Sequence, residues 1–132
     1  MQSLSLRLTA IVFVLLQLNL AVDDGTLYQE RGREMPTYIF LCKFTAEGIK
    51  GVKEGPQRRQ RAREVIEQLG GRAIGNWLTQ GQYDVVWVAE FPDESSASAF
   101  ALGTGMAGRL TTETLRAYTP EETEAIFAKL PG

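Results

Sequence analysis

In the run Tyr83-Asp84-Val85-Val86-Trp87-Val88-Ala89-Glu90-Phe91, two carboxylates bracket a stretch of β-formers. A carboxyl group held among apolar neighbours gives up its proton less readily, which suits it to work as a general base, so Asp84 and Glu90 are the candidate proton acceptors. Tyr38, Trp77, Tyr83 and Trp87 could wall an apolar pocket, with Asn76, Asp84, Glu90 or Arg116 orienting what enters it. The competing reading is structural: the aromatics are core and interface residues, Asp84 serves a turn, and Glu90 takes a partner such as Arg116.

Composition narrows the chemistry. The chain has no histidine, which removes the commonest metal ligand, the usual haem ligand and the usual general base at neutral pH. A single cysteine, Cys42, can neither close an intrachain disulfide nor build a thiolate zinc site, and mid-strand it reads as a small buried hydrophobe. The acids show no calcium-loop spacing, and the glycines after the first strand match neither a phosphate loop nor a dinucleotide fingerprint. No metal and no cofactor is expected. A net charge of −2 gives no field to gather nucleic acid. The one basic run, Arg58-Arg59-Gln60-Arg61-Ala62-Arg63, lies at helical pairing distance from Glu54, Glu64 and Glu67 and reads as a solvated face.

The elements that position these residues begin at Met35. Thr37 to Phe44 reads as a strand by its β-branched and aromatic content. A glycine-punctuated connector leads to Pro56, from which Ala62, Val65, Ile66 and Leu69 recur at helical spacing until Gly70-Gly71. Strands follow over Arg72 to Thr79 and Tyr83 to Phe91, joined by Gln80-Gly81-Gln82. Asp93 caps a second long helix, Arg109 to Tyr118 is a fourth strand, and Thr119-Pro120-Glu121-Glu122 is a capping box that opens a terminal helix. The order βαββαβ with an added C-terminal helix predicts a ferredoxin-like α+β domain over residues 35–132.

Residues 1–34 read differently. Arg7 precedes an apolar run from Leu8 to Val22, which resembles a signal peptide, although cleavage after Ala21 would leave Asn19 where a small residue is wanted. The favoured reading is a start at Met35 with a mis-called upstream segment, which gives a cytoplasmic protein. If residues 1–22 are translated and retained, the segment targets or tethers the domain to a membrane.

Alternation along the strands carries one further expectation. Trp87, Ala89 and Phe91 share one face of the third strand with Tyr83 and Val85, while Val86 and Val88 lie on the other between Asp84 and Glu90. The first strand is likewise apolar on both sides, with Tyr38, Phe40, Cys42 and Phe44 opposed by Ile39 and Leu41. These two strands are therefore central. Helices can cover only one face, so the second apolar face needs a partner, most simply a second copy in a two-fold homodimer.

The set Met-Pro-Thr-Tyr-Ile-Phe-Leu-Cys-Lys-Phe-Thr (35–45), Gly-Ile-Lys (48–50), Leu-Gly-Gly (69–71), Gly-Gln-Tyr-Asp-Val-Val (81–86), Glu-Phe-Pro-Asp (90–93) and Thr-Leu-Arg-Ala-Tyr-Thr (114–119) resembles the GYD-domain proteins. Gln82 separates the glycine from the Tyr-Asp pair. The resemblance implies small bacterial proteins of the dimeric α/β-barrel class and supplies no mechanism. Two functions stay open: a non-catalytic homodimer that is structural or binds a small apolar or aromatic ligand, and a cofactor-free oxygenase- or isomerase-like enzyme that uses Asp84 or Glu90 as base. A mass spectrum of the native N-terminus is expected to begin at Met35; a mature start near Asp23 would instead identify a cleaved leader.

Overall fold

The computed structural model describes residues 35–132. The leader-like segment read over residues 1–34 lies outside the described residues. Strand β1 (Thr37–Phe44) is followed by a short helix α1 (Ala46–Lys50), a 3-10 turn (Val52–Glu54) and helix α2 (Gly55–Gln68). Strands β2 (Arg72–Leu78) and β3 (Val85–Glu90) form a hairpin. Helix α3 (Glu94–Met106) leads to β4 (Leu110–Ala117), and α4 (Pro120–Phe127) follows. The four strands are antiparallel in the order β2-β3-β1-β4, so β1 and β3 are central, as their two-sided apolar character predicts. The result is the expected ferredoxin-like α+β arrangement.

Local chemistry sets the boundaries. The Asp93 carboxylate accepts the Ser96 backbone N–H at 2.7 Å and starts α3. At α4 the Thr119 hydroxyl accepts the Glu122 N–H while the Glu122 carboxylate accepts the Thr119 N–H, a complete capping box. The glycine-punctuated connector after β1 contains α1, which the Thr45 hydroxyl caps by accepting the Gly48 N–H at 3.0 Å. The hairpin loop turns through Gly81 at φ 98°, a conformation that suits glycine.

The ends of β2, β3 and β4 shift by a residue or two from the expectation, most at the start of β3. β3 begins at Val85, not Tyr83, because Asp84 is tied into the loop: its N–H donates to the Cys42 carbonyl, its carbonyl accepts from Thr79, and its carboxylate accepts the Phe44 N–H at 2.9 Å. Strand alternation therefore stops before Tyr83. Its ring leaves the side of Trp87 and lies across Lys43, with its hydroxyl donating to Glu113.

The core lies between the sheet and the two long helices. Tyr38, Phe40 and Cys42 from β1, Trp87 and Ala89 from β3, Phe91, Ile66 from α2, and Ala97 and Phe100 from α3 are all buried. Phe40 meets Phe100 and Phe91 edge to face at centroid separations of 5.0 and 6.0 Å. Burial pushes the Cys42 thiol up to about 11, so it is protonated at neutral pH and inert. Among the described residues no helix is long and apolar enough to cross a membrane.

The second sheet face carries Ile39, Leu41, Val86 and Val88, with Trp77 lying over Gly75. Phe40→Ala should lower the unfolding free energy in a denaturant titration by about 3–5 kcal/mol, since it empties a fully buried ring site, whereas Leu102→Ala on exposed α3 surface should change it by less than about 0.5 kcal/mol.

Candidate functional site

The core is filled at only one end of the sheet. Where β1 and β2 end and β3 and β4 begin, a cleft of about 640 Å³ opens between the helices and the sheet. Its floor is apolar: Phe44, Val85, Trp87 and Leu110 from the strands, with Phe100 at its inner limit. Asn76 is the polar group on this floor, its amide donating to the Val86 carbonyl at 3.4 Å.

Each helix lines the cleft with a face at i, i+3, i+4, i+7 spacing. On α3 these positions are Phe100, Gly103, Thr104 and Ala107, and the small residues after Phe100 leave the space unfilled. A Cβ added at Gly103 would meet no atom within 4 Å. On α2 the positions are Arg58, Arg61, Ala62 and Val65, so a basic row runs into an apolar one. The sequence reading of this run as a solvated face captured its pairing with Glu54 but missed the cleft. The signal was there in the helical spacing of Arg58 and Arg61 with Ala62 and Val65.

With Arg59 and Arg109, four arginines and one glutamate line the cleft, a net charge of +3 on a chain whose total is −2. Arg58 pairs with Glu54 at 2.8 Å and Arg109 approaches the same oxygen at 3.7 Å. The hydrogen bond from Arg58, with the positive charge of Arg58, Arg109 and Arg61, holds the Glu54 carboxyl below its ordinary value.

The structure divides the sequence-derived candidates among four places. Trp87 and Asn76 line the cleft. Trp77 and Tyr83 lie on the opposite face, with Glu90, whose partner is Arg72 and not Arg116: both Nε and Nη2 of Arg72 donate to one Glu90 oxygen, at 3.0 and 2.7 Å. Glu90 and Arg72 are directly opposite in the β2–β3 register, which brings them together. Asp84 is held in the hairpin loop as described. The hydrogen bond to Glu113 raises the Tyr83 pKa.

Tyr38 and Arg116 sit together at the closed end. Arg116 donates to Glu122 at 2.5 Å and to the carbonyls of Ala117 and Thr37, and it stacks on Tyr118 and Tyr38. It thereby joins β1, β4 and α4. The Tyr38 hydroxyl is buried with no hydrogen-bond partner among the described residues, and desolvation raises its pKa. Among the described residues no group of three histidines, cysteines or carboxylates could hold a metal ion.

A four-stranded antiparallel sheet with two long helices over one face defines a small ferredoxin-like α+β protein. The GYD domain matches residues 38–127, and the chain belongs to this family. It is similar to the "Glutamine synthetase and cystathionine beta-lyase binding protein" of Thermus thermophilus, with 30% identity over 84 residues, 63% of this chain and 88% of that protein. No solved structure matches.

The Arg116–Glu122 contact predicts a pH dependence. The hydrogen bond from Arg116, then that from the Thr119 backbone, holds the Glu122 carboxyl below its ordinary value of 4.5. A folded-state value below the unfolded one stabilises the fold above the unfolded value, and that contribution disappears as pH falls through the folded one. In denaturant titrations wild type should be more stable than Glu122→Gln at about pH 6, and the difference should shrink progressively as the pH falls below the carboxyl's ordinary 4.5.

Proposed function

We propose that this protein is a non-catalytic binding protein that holds a small molecule with an apolar body in the helix-side cleft and assembles as a homodimer through its open sheet face. The observation that carries the binding reading is the cleft itself. Its volume, its apolar aromatic floor and the charged groups gathered along one side of it suit a small-molecule site. The two acids that the sequence offers as bases lie outside it and are engaged structurally, Asp84 with the Phe44 N–H and Glu90 with Arg72, while the cleft's own Glu54 is paired with Arg58. Support for the dimer comes from the second face, where Ile39, Leu41, Val86 and Val88 form an apolar centre between the Arg72–Glu90 pair and the Lys43–Tyr83–Glu113 group.

A second reading, binding of protein partners, is favoured by the similar Thermus thermophilus protein, whose name assigns it glutamine synthetase and cystathionine beta-lyase as partners. It draws on the exposed apolar residues Leu102 and Met106, one turn apart on α3.

Two measurements test the first reading. A panel of small aromatic and aliphatic molecules should contain members that raise the melting temperature of the wild-type protein; a ligand at 100-fold excess over its Kd adds about 2.7 kcal/mol. Gly103→Leu, which fills the cleft from α3, should remove that shift while the unliganded protein stays folded; a shift that survives this substitution would place the ligand elsewhere. Light scattering should give a dimer for wild type and a monomer for Val88→Asp. A dimer unaffected by the charge at Val88 would show that the open face is not the interface.

A further inference from the structure

The cleft's rim holds more positive charge than its own residues neutralise. The guanidinium groups of Arg58 and Arg109 converge over Gly51: a Cβ built there would lie 2.5 Å from Arg58 Nη2 and 3.1 Å from Arg109 Nη1. Any side chain at this position would push the two groups aside. Between them stands one carboxylate oxygen, that of Glu54, 2.8 Å from Arg58 and 3.7 Å from Arg109. Arg61, one turn along α2, makes no ion pair among the described residues. Two like charges this close repel unless an anion lies between them, and a third charge beside them adds to the demand.

Glu54 meets that demand only partly. It serves Arg58 at full hydrogen-bonding distance and Arg109 at the edge of ion-pair range, and its side chain is more than half exposed. Arg109, at 3.7 Å from Glu54, and Arg61, which makes no ion pair among the described residues, leave room in the charge balance of the cleft for a second carboxylate. Directly inward lie the apolar floor and the ring of Trp87. Arginine suits this task because its planar fork binds a carboxylate through two parallel N–H groups.

We propose that the cleft selects a carboxylate with a flat apolar body, and that Glu54 is a built-in stand-in for the ligand's carboxylate, displaced when the ligand binds. This rests on the reading of the cleft as a small-molecule site. The ligand's carboxylate engages Arg109 and Arg61, and its body lies over Trp87 towards Phe100. Glu54 then competes with the ligand and weakens binding, while keeping the empty cleft from trapping unrelated anions.

The test compares naphthalene-2-carboxylate with its neutral carboxamide, titrated into the full chain by calorimetry, with the Trp87 indole N–H followed by NMR to locate binding. In low salt the carboxylate should bind about tenfold more tightly than the carboxamide, and the preference should shrink as salt screens the arginines. Arg61→Gln and Arg109→Gln should each reduce that preference by about threefold or more, weakening the carboxylate by more than the carboxamide. Glu54→Gln should tighten the carboxylate by about threefold and leave the carboxamide unchanged. Equal binding of the two probes, or weaker carboxylate binding in Glu54→Gln, would overturn the carboxylate assignment and leave the cleft as a binding site. Failure of both probes to bind, or binding that leaves the Trp87 signal unmoved, would overturn the cleft reading and this inference with it.

Discussion

Phe40, Phe91 and Phe100 come from a central strand, the turn after the other central strand, and the second long helix, and their rings meet at centroid separations of 5.0 to 6.0 Å. Such contacts are geometrically demanding, and each ring removed would leave a void that its neighbours cannot fill. Ile66 joins the cluster from α2 and is completely buried. The cluster therefore anchors both long helices to the sheet at one end. Beyond Phe100 the inward positions of α3 are glycine, threonine and alanine, which cannot reach across to α2, so the other end of the same layer stays open. The cleft is the consequence of a core whose large side chains are concentrated in half of its length.

Much of this was legible in the sequence. The two-sided apolar pattern of β1 and β3 identified the central strands, and the Asp93 and Thr119 caps marked the helix starts, because both signals depend on local spacing. Tyr83 and Glu90 were harder. Alternation places side chains only while the strand continues, and Asp84 interrupts it by spending its N–H, carbonyl and carboxylate on the neighbouring segments. Glu90 finds Arg72 because the β2–β3 register sets them opposite each other, a fact carried by the register shift at Ala73/Gly75 as much as by residue type.

The cleft was invisible for a different reason. Its existence depends on the separation of α2 from α3, which is set by the sizes of side chains on two elements distant in the chain. Trp87 and Asn76 could be named as candidates, but not the arginines that share their cavity, because a basic row on a helix has the same appearance whether it faces water or the mouth of a pocket. Arg116 shows the converse. Its aromatic and acidic neighbours make it resemble a ligand-orienting group, yet Glu122, Tyr118 and the strand carbonyls occupy it as a joint between the sheet and α4.

The shift in β2 has an effect on the outer boundary of the sheet. β2 is an edge strand, and between Ala73 and Gly75 it places an extra residue, Ile74, out of step with β3. An incoming extended chain could pair with β2 only by copying that irregularity, since a straight strand would lose register halfway along. The other edge, β4, presents Thr111, Glu113 and Arg116, residues poorly suited to a growing stack of strands. The same bulge that fixes which acid meets Arg72 also blunts one rim of the sheet against open-ended polymerisation, leaving its broad surfaces as the more favourable places for contact with other molecules.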